Sequence, residues 1–229
     1  MALNSRVPRY LGAAFLAQFV TSLAAGVLSG PFLAGSISEV LVNISHNVAQ
    51  MRASIVLELL TSVDIIVMAT LLYLVLKNQN RTVALVAFAW WFAEAVMLAV
   101  STLGLYALLP LSVEYVAAGA PVATHYQTLG AIFLGVDQHA GDIGMLFFCL
   151  GAFPWYYLLF KSRVVPRVLS LWGLLALPSV LLGTLLLVYD RSLDPSFALY
   201  IPYVPFELVI GLWFLTKGAR PARMAGASD

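Results

Sequence analysis

Residues Gly135–Pro166 read GVDQHAGDIGMLFFCLGAFPWYYLLFKSRVVP, and this stretch decides the fold class of the chain. It begins with polar and acidic residues and continues as an apolar run about as long as a bilayer is thick. It ends beside three basic residues, Lys161, Arg163 and Arg167. Such a basic end is typical of a transmembrane helix that finishes in the cytoplasm. The stretch therefore predicts a membrane-crossing helix with titratable groups at its outer end.

The composition of the whole chain agrees with a membrane protein. Of the 229 residues, 62% are hydrophobic and only 10% are charged, whereas about 25% are charged in a typical soluble domain. The single cysteine, Cys149, lies inside an apolar run, which excludes a disulfide framework and a cysteine metal cluster. Because the chain is so apolar, we expect the lipid bilayer as a partner. With a net charge of only +1, we expect no nucleic acid as a partner.

Six apolar runs are long enough to cross a bilayer, and they predict an all-α bundle. Helices are favoured because lipid cannot satisfy an exposed backbone and because the alternation of barrel strands is missing. The predicted spans are residues 7–29, 53–76, 82–109, 141–160, 168–189 and 201–216. They form one predicted membrane domain, residues 1–217, and we expect residues 218–229 to be a disordered cytoplasmic tail.

The distribution of basic residues predicts the orientation of the six spans. Ten of the twelve Lys and Arg residues fall at one face of a six-span arrangement, while Arg52 and Arg191 fall at the other. Because basic residues concentrate in cytoplasmic loops, both termini are predicted to be cytoplasmic. On the outer side, residues 37–51 have the spacing of an amphipathic helix, and residues 126–133 have that of a second short helix. Whether the first of these continues into the second span is left open by the spacing.

Polar side chains from four different spans fall near the predicted midplane. At about 1.5 Å per residue from the inner end of each helix, Asp64 and Glu94 lie about 18 Å deep, Gln18 about 15 Å and Glu207 about 14 Å. No Lys or Arg falls at this depth. An ionised carboxylate there costs about 2.5–3.5 kcal/mol or more, so the acids must be protonated, share a cation or face water.

These four residues predict an intramembrane site that binds or transports a small cationic or protonatable solute. The alternative from the same residues is structural, because a protonated acid can also hydrogen-bond a neighbouring helix and hold the bundle together. In that case the protein would be a non-catalytic membrane partner.

A second polar cluster is predicted near the outer boundary, formed by Arg52, Glu58, His139 and Asp142. His139 and Asp142 are three residues apart and share a helix face, and an aspartate can orient a histidine for proton relay. Glu58, His139 and Asp142 could also hold a metal if their helices meet, which would make an intramembrane enzyme a further alternative. The simpler interpretation is a polar helix cap in which Arg52 neutralises an acid.

No established catalytic or nucleotide-binding motif occurs in the chain. The phosphate-binding glycine loop with lysine, the zinc-protease histidine pair and the serine nucleophile elbow are all missing. Apart from the metal alternative above, no cofactor is predicted.

Three stretches resemble a known family of bacterial membrane proteins. They are FKSRVVPRVLSLWGLLA at Phe160–Ala176, ELLTSVDIIVMATLLYLVLK at Glu58–Lys77 and FELVIGLWFLTKG at Phe206–Gly218. Together they are similar to the family catalogued as domain of unknown function 4386, and the resemblance covers nearly the whole chain. It implies a bacterial inner-membrane protein with six spans, and it carries no activity and no functional residues.

Overall fold

The computed structural model describes residues 6–120, 124–193 and 197–219. Most of the predicted tail, residues 220–229, lies outside the described residues. Seven α-helices occur in the described part: α1 Val7–Ser29, α2 Ile37–His46, α3 Val48–Leu76, α4 Arg81–Ala117, α5 Thr124–Ser162, α6 Arg167–Tyr189 and α7 Val204–Lys217. Short 3-10 turns follow α1 and α6. No strand occurs in these residues, so the all-helical prediction is confirmed for them.

Five of the helices, α1 and α3 to α6, are long and apolar enough to cross a membrane. Large apolar side chains on them are widely exposed, including Val27 at 66%, Val168 at 80% and Leu175 at 69%. Such exposure is unfavourable in water but not in lipid, because acyl chains are themselves apolar. The helices therefore indicate an integral membrane protein. The predicted sixth span corresponds to α7, which has only 14 residues.

The helix ends predicted to be cytoplasmic agree with the predicted spans to within two residues, whereas four of the ends predicted to be outer do not, and those of α4 and α5 differ most. The helix α4 continues to Ala117, beyond the predicted end of the third span at residue 109, and contains Pro110 in its interior. The helix α5 begins at Thr124 rather than at residue 141, because the predicted short helix and the fourth span are one continuous helix. The polar residues between them remain helical, and Asp137 accepts a hydrogen bond from Ser101 (2.7 Å).

The segment between α1 and α3 contains the expected amphipathic helix, α2, which buries Val40, Leu41 and Ile44. It begins at a capping box, in which the Ser36 N–H donates to the Glu39 carboxylate at 2.7 Å and the Glu39 N–H donates to the Ser36 hydroxyl at 3.4 Å. The helix is not continuous with α3, because Asn47 leaves the helical conformation (φ −127°, ψ 37°).

The chain forms two compact units, each of which takes parts of several helices. The unit that we call the acid-bearing unit contains the described residues of Met1–Phe19, Val63–Ala95 and Asp142–Asp229. The other, the α2-bearing unit, contains Val20–Ser62 and Val96–Gly141. Its buried core consists of Val40, Leu41, Ile44, Met51, Ile55, Leu105, Leu108 and Tyr115.

In the acid-bearing unit, α1 and α7 pack backbone against backbone. A Cβ atom on Gly12 would lie 2.2 Å from the Leu215 nitrogen and 2.7 Å from the Gly211 oxygen, and a Cβ on Gly211 would meet Phe15 and Leu16. Gly12 thus lies closest to Leu215, whereas Phe15 and Leu16, which follow Gly12 in α1, contact Gly211, which precedes Leu215 in α7. The two helices are therefore antiparallel. The Phe15 and Phe214 rings stack beside this contact, with centroids 6.3 Å apart.

Candidate functional site

Two of the predicted acids, Glu94 of α4 and Glu207 of α7, come together inside the acid-bearing unit. Their carboxyl groups are close enough to interact electrostatically. The Oε2 atom of Glu94 is buried and has no hydrogen-bond partner among the described residues. A buried acceptor without a donor is costly. Binding of a proton or a cation at this oxygen would therefore be favourable.

Two buried tyrosines extend the glutamate pair. Tyr203 hydrogen-bonds the side chain of Glu207, and its hydroxyl lies 2.5 Å from the hydroxyl of Tyr156. When Glu207 is ionised it can only accept, so Tyr203 donates to Glu207 and Tyr156 donates to Tyr203. These contacts form a hydrogen-bonded chain that runs from Tyr156 through Tyr203 to Glu207.

Neither tyrosine was among the site residues predicted from the sequence. The spacing of Tyr203 and Glu207, four residues apart across the start of α7, would have placed them on one face. The contribution of Tyr156 from α5 depends on tertiary packing, which no local pattern reports.

Aromatic side chains pack closely together in the same unit as the glutamate pair. Trp91 is buried, donates to the Phe148 carbonyl at 3.2 Å and meets the Trp155 ring edge-on. The Phe206 ring packs edge-on against Tyr156, with centroids 4.9 Å apart. Within the described residues, neither Lys nor Arg is among the groups that act on Glu94 or Glu207.

The other two predicted residues, Asp64 of α3 and Gln18 of α1, form a separate pair. Asp64 hydrogen-bonds the backbone of Gln18, and neither glutamate is among the groups that act on it. The Oδ2 atom of Asp64 is buried and lacks a partner within the described part of the chain. The four predicted residues therefore form two polar pairs, Glu94 with Glu207 and Asp64 with Gln18, which we call the polar stations.

Asp142, one residue of the predicted outer cluster, has a partner that the sequence did not predict. Asp142 is buried and forms an ion pair with Arg191, the residue after the C-cap of α6. His139 is exposed, and its Nδ1 atom lies 2.6 Å from the Gly135 carbonyl of its own helix. Arg191 thus neutralises Asp142, and the cooperation of His139 with Asp142 stays a prediction.

The metal hypothesis for Glu58, His139 and Asp142 has no geometric support. Among the residues that the structure describes, no group of three or more His, Cys, Asp or Glu side chains could hold a metal ion. Glu58 lies instead within electrostatic reach of Asp137 in the α2-bearing unit. Arg52 is exposed in that unit and lines a pocket that is described below.

The fold and these polar stations define an all-helical integral membrane protein with buried acids in its acid-bearing unit. Residues 10–218 match the family described as domain of unknown function (DUF4386). The match covers most of the 229 residues, so the chain belongs to this family and the predicted resemblance is confirmed. Searches of curated proteins and of solved structures found no match.

Proposed function

We propose that this protein crosses a bacterial cytoplasmic membrane six times and binds or transports a small cationic or protonatable solute at Glu94 and Glu207. The observation that carries the proposal is the buried, unpartnered Oε2 atom of Glu94 beside a second carboxyl group. Asp64 and Gln18 form a second polar station in the same unit. The bilayer is the surrounding partner.

The antiparallel packing of α7 against α1 supports the sixth crossing and the placement of both termini on one side. The helix α7 extends about 21 Å at 1.5 Å per residue, which is shorter than the hydrocarbon core of about 30 Å. Local thinning of the bilayer accommodates such a helix at modest cost. The basic residues at the start of α1 and at the end of α7 favour the cytoplasm for this side, because such residues concentrate in cytoplasmic segments.

The pairing of two acids supports a positively charged or proton-carrying ligand. Two carboxylates without a basic partner repel each other, and the repulsion is strong where the surroundings are apolar. A shared proton or a bound cation relieves it. Release of that proton or cation on one side and uptake on the other would couple the site to transport.

The test is proton movement in proteoliposomes that contain the full chain and a pH-sensitive dye inside. Under an imposed membrane potential, we expect the wild type to move protons and Glu94→Gln or Glu207→Gln to reduce the rate at least about tenfold, which corresponds to about 1.4 kcal/mol. Each variant replaces a carboxyl group with an amide of similar shape and removes the titratable proton.

The matched control is Glu114→Gln, which makes the same change at an exposed position of α4. We expect it to keep the wild-type rate. A hydrophobic carbodiimide, which modifies protonated buried carboxyl groups, should label the wild type and lose most of its labelling in Glu94→Gln.

The structural alternative gives a different result. If the acids only hold helices together, Glu94→Gln and Asp64→Asn will lower thermal stability in detergent without changing proton movement relative to Glu114→Gln. The enzyme alternative has no observation in its favour, because Asp142 is engaged by Arg191 and His139 is bound to its own helix.

A further inference from the structure

A cavity in the α2-bearing unit is independent of the buried acids. It lies between the outer parts of α3 and α4 and has a volume of about 520 Å³. Pockets that hold small ligands in proteins have volumes of about 300–1,000 Å³. The lining residues are Arg52, Ile55 and Val56 of α3 and Tyr106, Leu109 and Pro110 of α4.

The lining follows from helical spacing. On each helix the residues occupy positions i, i+3 and i+4, which share one face. Ile55 is buried at 5% exposure and forms the floor, whereas Val56 at 55% and Tyr106 at 68% are open to the surroundings. The cavity is therefore a groove with an apolar floor and open sides.

The groove contains one charged group. Arg52 is exposed and lies in the second turn of α3, near the helix end. No ion pair of Arg52 occurs among the described residues. A guanidinium group near the end of a membrane helix reaches the interface, where phosphate groups of lipids lie, and it binds phosphate through two parallel hydrogen bonds.

The apolar surface continues from the groove along α3. Leu59 and Leu60, three and four residues after Val56, are 45% and 52% exposed. If the head group of a lipid lies at Arg52, its acyl chain would thus continue over Val56 and onto these leucines. A soluble anion would leave this surface uncovered.

We propose that this groove binds an anionic phospholipid of the surrounding bilayer, with its phosphate on Arg52 and an acyl chain over Val56 and Tyr106. The site combines one cation with apolar walls, so it selects a negatively charged head group on a hydrocarbon tail. It does not depend on the transport proposal, because it shares no residue with the acid pair.

The test is native mass spectrometry of the full chain in detergent, titrated with dioleoyl phosphatidylglycerol and, separately, dioleoyl phosphatidylcholine. The two lipids have the same tails and differ in net charge. We expect the wild type to bind the phosphatidylglycerol roughly tenfold more tightly. Arg52→Gln should abolish this preference, Arg52→Lys should keep most of it, and Arg81→Gln, an exposed arginine on α4 outside the groove, should leave it unchanged.

The tails are tested separately. Val56→Trp fills the groove and should weaken the binding of both lipids, and glycerol phosphate, which has no tails, should not bind. Equal phosphatidylglycerol binding by the wild type and Arg52→Gln would overturn the proposal. So would oleate binding as tightly as phosphatidylglycerol, which would assign the groove to a free fatty acid. Should Val56→Trp fail to fold, the Arg52 variants still decide between these outcomes.

Discussion

Replacement of Gly12 by alanine is expected to destabilise the protein by about 3 kcal/mol, the upper part of the range for overpacked positions. The added Cβ would lie 2.2 Å from the Leu215 nitrogen, 2.7 Å from the Gly211 oxygen and 2.8 Å from the Leu215 Cα. All three are backbone atoms, so no side-chain rotation can relieve the clash. The helices α1 and α7 would have to separate, and unfolding in detergent measured by temperature or by dodecyl sulfate would report the loss.

Two matched glycines make this a graded series. A Cβ at Gly26, also in α1, would meet nothing within 4 Å, so Gly26→Ala should be neutral or gain up to about 1 kcal/mol of helix stability. A Cβ at Gly211 would lie 3.0 Å from a Leu16 side-chain atom that can move, so Gly211→Ala should fall between the two. Equal stabilities for Gly12→Ala and Gly26→Ala would contradict the α1–α7 contact.

The same contact links stability to the proposed function. Glu207 lies one turn before Gly211 on α7, so a displacement of α7 by Gly12→Ala also moves Glu207 away from Glu94. Proton movement should therefore decrease in Gly12→Ala even at temperatures where the protein remains folded. Gly26→Ala serves as the control in this measurement as well.

Much of the fold was predictable because the membrane restricts the secondary structure that an apolar segment can adopt. Long apolar runs must be helices in lipid, and basic residues mark where they end on one side, so the bounds of α1 and the inner ends of α3 and α6 came out within one residue. The C-terminal end of α4 and the N-terminal end of α5 were predicted wrongly because proline and polar residues normally interrupt helices. In α4 and α5 they do not, since their polar groups find partners such as Ser101 for Asp137.

The sequence predicted a common depth for the acids, but it could not predict which of them would contact each other. Counting residues along separate helices placed Glu94 and Glu207 at similar levels, yet it also grouped Asp64 with them, and the structure pairs that residue with Gln18 instead. Depth along a helix is read from spacing, whereas rotation about the helix axis depends on packing. Tyr156, Tyr203 and Arg191 were missed for the same reason.

Loss of the Arg191–Asp142 ion pair is expected to be asymmetric. Asp142 is almost fully buried, with 11% of its side chain exposed, whereas 38% of the Arg191 side chain is exposed. Removal of the arginine leaves a buried carboxylate without its cation, and breaking a fully buried pair in this way costs about 3–5 kcal/mol. Because Arg191 is partly screened by its surroundings, we expect about 2 kcal/mol for Arg191→Gln.

Removal of the acid should be milder, at about 1 kcal/mol for Asp142→Asn, because the partly exposed arginine can turn to water or lipid phosphate. The double variant should be more stable than Arg191→Gln alone, since it no longer buries an uncompensated charge. A double-mutant cycle measured by unfolding in detergent gives the coupling, with Arg81→Gln as the exposed-arginine control. Strictly additive effects, or a larger loss for Asp142→Asn than for Arg191→Gln, would mean that Arg191 does not neutralise Asp142 in the membrane.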